Sequence, residues 1–263
     1  MRCWVDAAGQ LNSMLEGGRM MQHWLNVGVR GGGNWPTEET TVKFGGHDLV
    51  LKPATKTTEQ SIHVALSGIS DVDALTLINR FLSIISWCAD QAMENLYGWS
   101  GNPLPVAVPL AFRSLGSSPF LFYRELPQDK NVRLALALFR EGATVNSVPF
   151  AFLSYFKILN IFWQDKYVKG ANAIIEGIRA CLPLLTDDLA KKRIAELSKA
   201  EPDVSKYLYQ SCRCAVAHAY SSPIVDPDDV SELRRLSSDI YIVKNIAERL
   251  IENQLNVSRS LLG

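Results

Sequence analysis

A chain of 263 residues, 47% of them hydrophobic, with 27 basic side chains against 27 acidic ones, carries enough apolar material for a sizeable core and is not a disordered protein. A chain that lives by nonspecific attraction to nucleic acid is usually basic, so the charge balance gives RNA no support and any phosphate contact must come from a local site or a groove between subunits. Five cysteines (Cys3, Cys88, Cys181, Cys212, Cys214) show no paired spacing; with no basic-then-apolar leader in residues 1–10, they point to a reducing, cytoplasmic setting.

Residues 1–128 read as an N-terminal α+β region. Strands are expected between about 22 and 67, with Thr41–Phe44 and Asp48–Leu51 flanking Gly45-Gly46 as a hairpin and Ser61–Ser67 alternating well. Three or four such strands make a small antiparallel sheet that needs a partner surface. A long helix is expected over 71–97, with Asp71 as N-cap and Ala74, Leu75, Ile78, Phe81, Leu82, Ile85, Cys88 and Ala92 at helical spacing, ended by Gly98. Asn79 and Arg80 interrupt its apolar run, and Lys157 and Asn160 interrupt the one near 148–163, so neither suits a bilayer span and no membrane is expected. Pro103, Pro105, Pro109, Pro119 and Pro127 then mark residues 98–128 as an irregular linker.

Residues 129–263 read as all helical. Helices are expected at 132–141, 148–163, 167–182, 187–199 and 204–219, with Pro149 tolerated in a first turn. Asp226-Pro227-Asp228-Asp229 then caps a long helix, with Asp226 as N-cap and an amphipathic stripe from Val230 through Leu236 and Val243 to Ile251. The fold class expected is therefore α+β: a small antiparallel sheet packed with a long helix, followed by a helical bundle.

The chemistry concentrates in Arg213-Cys214-Ala215-Val216-Ala217-His218-Ala219-Tyr220. Arginine grips a phosphate with a fixed charged fork and histidine moves protons near neutral pH, the two abilities that phosphodiester chemistry requires together. Arg213 and His218 are five apart, about 140° around an ideal helix. Their convergence therefore needs a break near the helix end, or pairing across a twofold axis. The plainer alternative is that both pair with the acids at 226–229 and cap the local fold. Phe150, Phe152, Tyr155, Phe156, Phe162 and Trp163 cover most of a helix circumference, more than one core would use, and so point to a homodimer.

The pattern R-x4-H-x-Y, preceded by the aromatic-rich helix and followed by a capped terminal helix, resembles the HEPN family. Over its whole length the chain is most similar to MauJ-like, methylamine-utilisation-associated proteins, through residues 74–87, 133–140, 213–219 and 225–229. The HEPN resemblance implies a helical domain over 129–263 and a metal-independent endoribonuclease or toxin-like effector, as in antiviral defence. Two copies of the motif would form one composite site, with Arg213 and His218 catalytic. Tyr220 would be accessory or regulatory, since in some HEPN toxins it is the target of a partner antitoxin. RNA, a second copy of the chain and an antitoxin or other defence protein are the implied partners, with no cofactor. The chain departs from active members at Cys214, where they tend to carry Asn, Asp or His. A thiol is a feeble hydrogen bonder, which favours the alternative of a noncatalytic module that binds a partner protein or nucleotide.

Other groups read more plainly. Cys212, Cys214 and His218 lack a fourth zinc ligand, so no metal is expected. His23, His47 and His63 read as surface or half-buried histidines, and Arg30-Gly31-Gly32-Gly33 as a flexible turn.

Overall fold

The computed structural model describes residues 23–31, 35–103, 120, 122–163, 170–218, 225–226 and 228–262. Strands β1 (Trp24–Gly31), β2 (Thr40–Phe44), β3 (His47–Lys52), β4 (Ser61–Ala65) and β5 (Met93–Gly101) form one antiparallel sheet in the order β2-β3-β4-β1-β5. Gly45 and Gly46 turn β2 into β3 with φ of 57° and 82°, the left-handed pair that a two-residue hairpin requires. Strand alternation sends Leu25, Val27, Val29, Leu49, Leu51, Ile62 and Val64 into the core. Helix α1 (Asp71–Ala89) covers that face, and Phe81 meets Phe44 edge-on at 5.6 Å.

The N-cap of α1 is Ser70 rather than Asp71: the Ser70 hydroxyl accepts the Asp73 amide at 3.1 Å and donates to the Asp73 carboxylate at 2.7 Å. The helix also ends earlier than its periodicity suggests. Asp90 adopts a left-handed conformation (φ 50°) and its amide returns to the carbonyls of Ser86 and Trp87. The next stretch is β5, which pairs along the whole of β1, so residues 93–97 are strand and not helix. Gly98 sits inside that strand, and residues 98–101 belong to the sheet rather than to an irregular linker. Most of the expected linker, 104–119, lies outside the described residues. By length and composition α1 would suit a membrane span, but here Leu77, Ile78, Phe81, Leu82, Ile84, Ile85 and Trp87 are buried within the protein.

The rest is helical. Helix α2 (Lys130–Thr144), capped by Asp129, is followed by α3 (Val148–Trp163) and α4 (Ala171–Cys181), which a 3-10 turn closes at Leu182–Leu184. Helix α5 (Asp188–Leu197) leads to a segment built from α6 (Val204–Tyr207), a π-helical stretch (Leu208–Cys214) and α7 (Ala215–Ala217), and then to α8 (Val230–Gln254). Among the described residues no strand follows β5. The architecture is thus α+β. A continuous core runs from the sheet through α1 to α8, and Trp87 of α1 meets Phe139 of α2 edge-on at 5.0 Å.

Two further features differ from the sequence reading. The N-cap of α8 is Asp229, which accepts the amides of Ser231 and Glu232; the Asp226 carboxylate accepts the amide of Asp228 in the preceding turn. A cap must reach donors two or three residues on, and Asp226 spends its oxygen before the helix begins. The aromatic face of α3 is also consumed within its own chain. Phe152, Tyr155 and Phe156 are buried, Phe162 and Trp163 half-buried, and of the set only Phe150 is open, at 63%.

Candidate functional site

The motif segment starts at Asp203, whose carboxylate accepts the amides of Ser205 and Lys206 and caps α6. From Leu208 the backbone widens to π-helical winding and narrows again at Ala215. Such bulges need side-chain anchors to persist, and they recur at functional sites. The anchors here come from α8. Arg235 donates to the Ser211 carbonyl at 3.2 Å, to the Tyr207 hydroxyl at 2.7 Å and to Cys212 Sγ at 3.4 Å.

One turn on, Asp239 is fully buried and accepts four donors. They are Arg193 Nε at 2.7 Å, the Tyr207 hydroxyl at 2.8 Å, Arg235 Nη1 at 3.3 Å and Cys212 Sγ at 3.4 Å. Glu232 balances the second arginine at 2.7 Å. A buried carboxylate is tolerable only with such complete satisfaction. Burial, with Cys212 and Asp239 beside it, pushes the Tyr207 hydroxyl well above its ordinary pKa, so it remains a donor. Burial beside Asp239 likewise raises the Cys212 thiol and keeps it protonated.

On this frame Arg213 is half-buried. Its guanidinium lies over the Tyr209 ring at 5.6 Å and its Nη1 sits 3.7 Å from Cys214 Sγ. No carboxylate among the described residues pairs with it. Asp226 is engaged by Asp228, and Asp229 by Ser231 and Glu232, whose bonds also depress the Asp229 pKa. The pairing of Arg213 with these acids that the sequence allowed is therefore not made. His218 ends α7 in an extended conformation (φ −131°, ψ 120°), with its amide bonded to the Cys214 carbonyl at 2.9 Å. The chain returns at once, and the Val225 amide reaches the Ala215 carbonyl at 3.2 Å. The segment is thus not one regular helix: it winds as a π-helix over Leu208–Cys214 and ends at Ala217. Tyr220 lies outside the described residues. No cluster of three metal-ligating side chains occurs among the described residues.

Six participants were not read from the sequence: Arg193, Tyr207, Tyr209, Glu232, Arg235 and Asp239. A signal did exist for the last. Asp239 falls between Leu236 and Ile242 on the buried stripe of α8, and an acid in an apolar stripe calls for buried partners. Residues 135–252, from α2 through α8, match the family described as methylamine utilization protein MauJ. Over these residues the chain is MauJ-like. The matched stretch holds Arg213, His218 and the whole Arg193–Tyr207–Arg235–Asp239 network. No curated protein and no solved structure gives a significant match.

Elsewhere, a cavity of about 590 Å³ runs along the second half of α8, and no motif residue lines it. Most of its charges are paired with one another: Lys244 with Asp90 at 2.6 Å, and Arg259 with Glu248 at 2.9 Å and Glu252 at 3.0 Å. His63, expected at the surface or half-buried, is fully buried in the sheet. Its Nδ1 lies 2.6 Å from Asn26 Oδ1 and its Nε2 2.8 Å from Ser61 Oγ. Desolvation, with Lys52 nearby, lowers its pKa to about 4, so at neutral pH it is an uncharged structural imidazole.

Proposed function

We propose that this MauJ-like chain is a HEPN-type, metal-independent endoribonuclease whose working site is composite, assembled from the motif segments of two copies. The observation that carries the proposal is Arg213: a half-buried guanidinium, lying over the Tyr209 ring, with no carboxylate partner among the described residues. Such a group offers a phosphate its full charge and most of its N–H donors. The resemblance to HEPN proteins supplies the division of labour. Arg213 holds the scissile phosphate and stabilises the charge that grows on it. His218 relays protons while the ribose 2′-oxygen attacks phosphorus and the bond to the 5′-oxygen breaks. The nucleophile belongs to the substrate, so DNA is not cut.

The dimer in this proposal rests on the motif and not on α3, whose aromatic residues are mostly taken up by the chain's own core. The second reading is a noncatalytic module that uses the same segment to bind a partner protein or nucleotide. Its support is Cys214, whose thiol stands beside Arg213 where a stronger hydrogen-bonding side chain would orient it.

The test incubates purified protein with total RNA in EDTA beside Arg213→Ala and His218→Ala. The ribonuclease reading expects cleavage in the wild type, lost in both variants, with RNA binding largely kept by His218→Ala and weakened by Arg213→Ala. RNA bound but uncut by the wild type supports the module instead.

A further inference from the structure

Arg140 occupies an unusual position where α1, α2 and β5 meet. Its guanidinium makes one hydrogen bond, from Nη1 to Asn79 Oδ1 at 3.3 Å, and takes part in no ion pair with a described residue. Asn79 Oδ1 also accepts Asn95 Nδ2 at 2.9 Å, so its two lone pairs are in use and it has nothing further to give. Most of the N–H groups of Arg140 therefore have no acceptor among the described residues. The side chain is largely withdrawn from water, and burial pulls its pKa below the ordinary guanidinium value; the adjacent Glu141 opposes this only in part. An arginine desolvated to this degree is normally neutralised by a carboxylate, because leaving the charge unpaired is costly.

One helical turn along the same face of α2, Thr144 Oγ1 is buried and has no hydrogen-bond partner among the described residues. Thr144 also lines an open cavity of about 450 Å³ with Arg30, Gly31, Gln91, Ala92 and Glu94. On that wall Arg30 stands 3.8 Å from Glu94, 69% exposed and loosely held. The orphaned hydroxyl thus lines an opening large enough for a small molecule, and the unneutralised cation lies one helical turn behind it. Arg140 lacks an anionic partner and Thr144 lacks an acceptor, and one ligand oxyanion would supply both.

We propose that the α1–α2–β5 junction is an oxyanion-binding site, in which Arg140 grips a carboxylate or phosphate group of a small-molecule ligand and Thr144 donates its hydroxyl to it. This site is separate from the Arg213 segment and does not depend on that segment being catalytic. The fork of Arg140 favours two parallel bonds to one group, which a lysine cannot reproduce.

The experiment titrates the full-length protein with inorganic phosphate and, separately, with sodium acetate at constant ionic strength. The readouts are the side-chain NMR signals of Asn79, Asn95 and the arginine Nε–H groups, together with melting temperature. The expected result is saturable shifts at Asn79 and Asn95 with at least one anion, in the range of about 1–50 mM for an isolated group. Response to phosphate alone assigns a phosphoryl ligand, and response to acetate alone a carboxylate. Arg140→Lys is expected to bind about tenfold more weakly, the loss of one charge-assisted bond, while Arg213→Met binds as the wild type does at this site. Thr144→Val gives the sharper signature. It removes a buried unsatisfied hydroxyl, so it raises the melting temperature of the free protein while weakening the anion response. Absence of saturable shifts in the wild type with either anion overturns the proposal. So does a response that Arg140→Lys and Thr144→Val leave unchanged.

Discussion

The Tyr207 hydroxyl donates to Asp239 at 2.8 Å, tying the first turn of the motif segment to the middle of α8. The bond matters because Asp239 is fully buried and Arg193 and Arg235 both lean on it. Asp239→Ala takes the buried partner from two mostly buried arginines and leaves each a more exposed glutamate, Glu196 or Glu232. The expected loss is therefore about 3 kcal/mol, the low end for breaking a buried pair. Tyr207→Phe removes one donor of four and is expected to cost about 1 kcal/mol. Denaturant melts measure both. Equal losses in the two variants would mean that the arginines do not depend on the Asp239 charge.

Acid should weaken the sheet through His63. In the unfolded chain this imidazole takes a proton near pH 6.5, whereas in the fold it resists to about pH 4. Above pH 6.5 both states are neutral and the stability is full. As pH falls between those values the unfolded chain is protonated first, so stability drops by about 3 kcal/mol in total. Below pH 4 this contribution is flat. His63→Gln keeps a donor and an acceptor between Asn26 and Ser61 but cannot titrate. Its stability should therefore vary less between pH 6.5 and 4 than that of the wild type in urea melts at stepped pH. Parallel curves for the two proteins would place the acid sensitivity elsewhere.

Gly142 makes a case in which helix propensity and packing oppose each other. Alanine in mid-helix normally gains about 1 kcal/mol over glycine. At Gly142 of α2, however, a Cβ would lie 2.8 Å from Tyr155 Cζ and 3.0 Å from both Cε atoms of the ring. That ring is 3% exposed and sits edge-on to Phe139 at 5.5 Å, so it has little room to retreat. Overpacking of this kind costs about 1–3 kcal/mol, and the net expectation for Gly142→Ala is destabilisation. A higher melting temperature for the variant would show that α2 and α3 can separate without cost.

Much of this architecture is legible in the sequence where side-chain periodicity and backbone agree. The Gly45-Gly46 hairpin, the span of α3 and the α+β class all follow from local chemistry. The end of α1 does not. Cys88 and Ala92 continue its spacing, and the break falls at Asp90, a left-handed residue that is neither glycine nor proline. Residues 93–101 become strand because β1 offers an open edge, a tertiary cause that no window of the sequence contains. The motif helix begins at Val204 as its sequence suggests but ends at Ala217, and its π-helical stretch depends on Arg235 and Asp239, more than twenty residues downstream. Arg140 is hidden for a similar reason, since in sequence it is one charge on an amphipathic helix, and only the fold shows that no described carboxylate pairs with it.

Cys214 gives the most direct handle on the proposed ribonuclease. Its Sγ lies 3.7 Å from Arg213 Nη1, a long and weak contact. Active HEPN proteins tend to place Asn, Asp or His there. Cys214→Asn puts an amide oxygen within reach of the guanidinium, where a shorter bond would fix its orientation toward phosphate. One added hydrogen bond of about 1 kcal/mol corresponds to cleavage roughly fivefold faster. Cys214→Ala, which only deletes the thiol, should cut RNA no faster than the wild type. Initial rates on a single-stranded RNA in EDTA separate the variants, and His218→Ala in the Cys214→Asn background should abolish the gain. If Cys214→Asn and Cys214→Ala behave alike, position 214 does not orient Arg213. If Cys214→Asn binds RNA more tightly yet still cuts none, the segment is a binding surface and the ribonuclease reading fails.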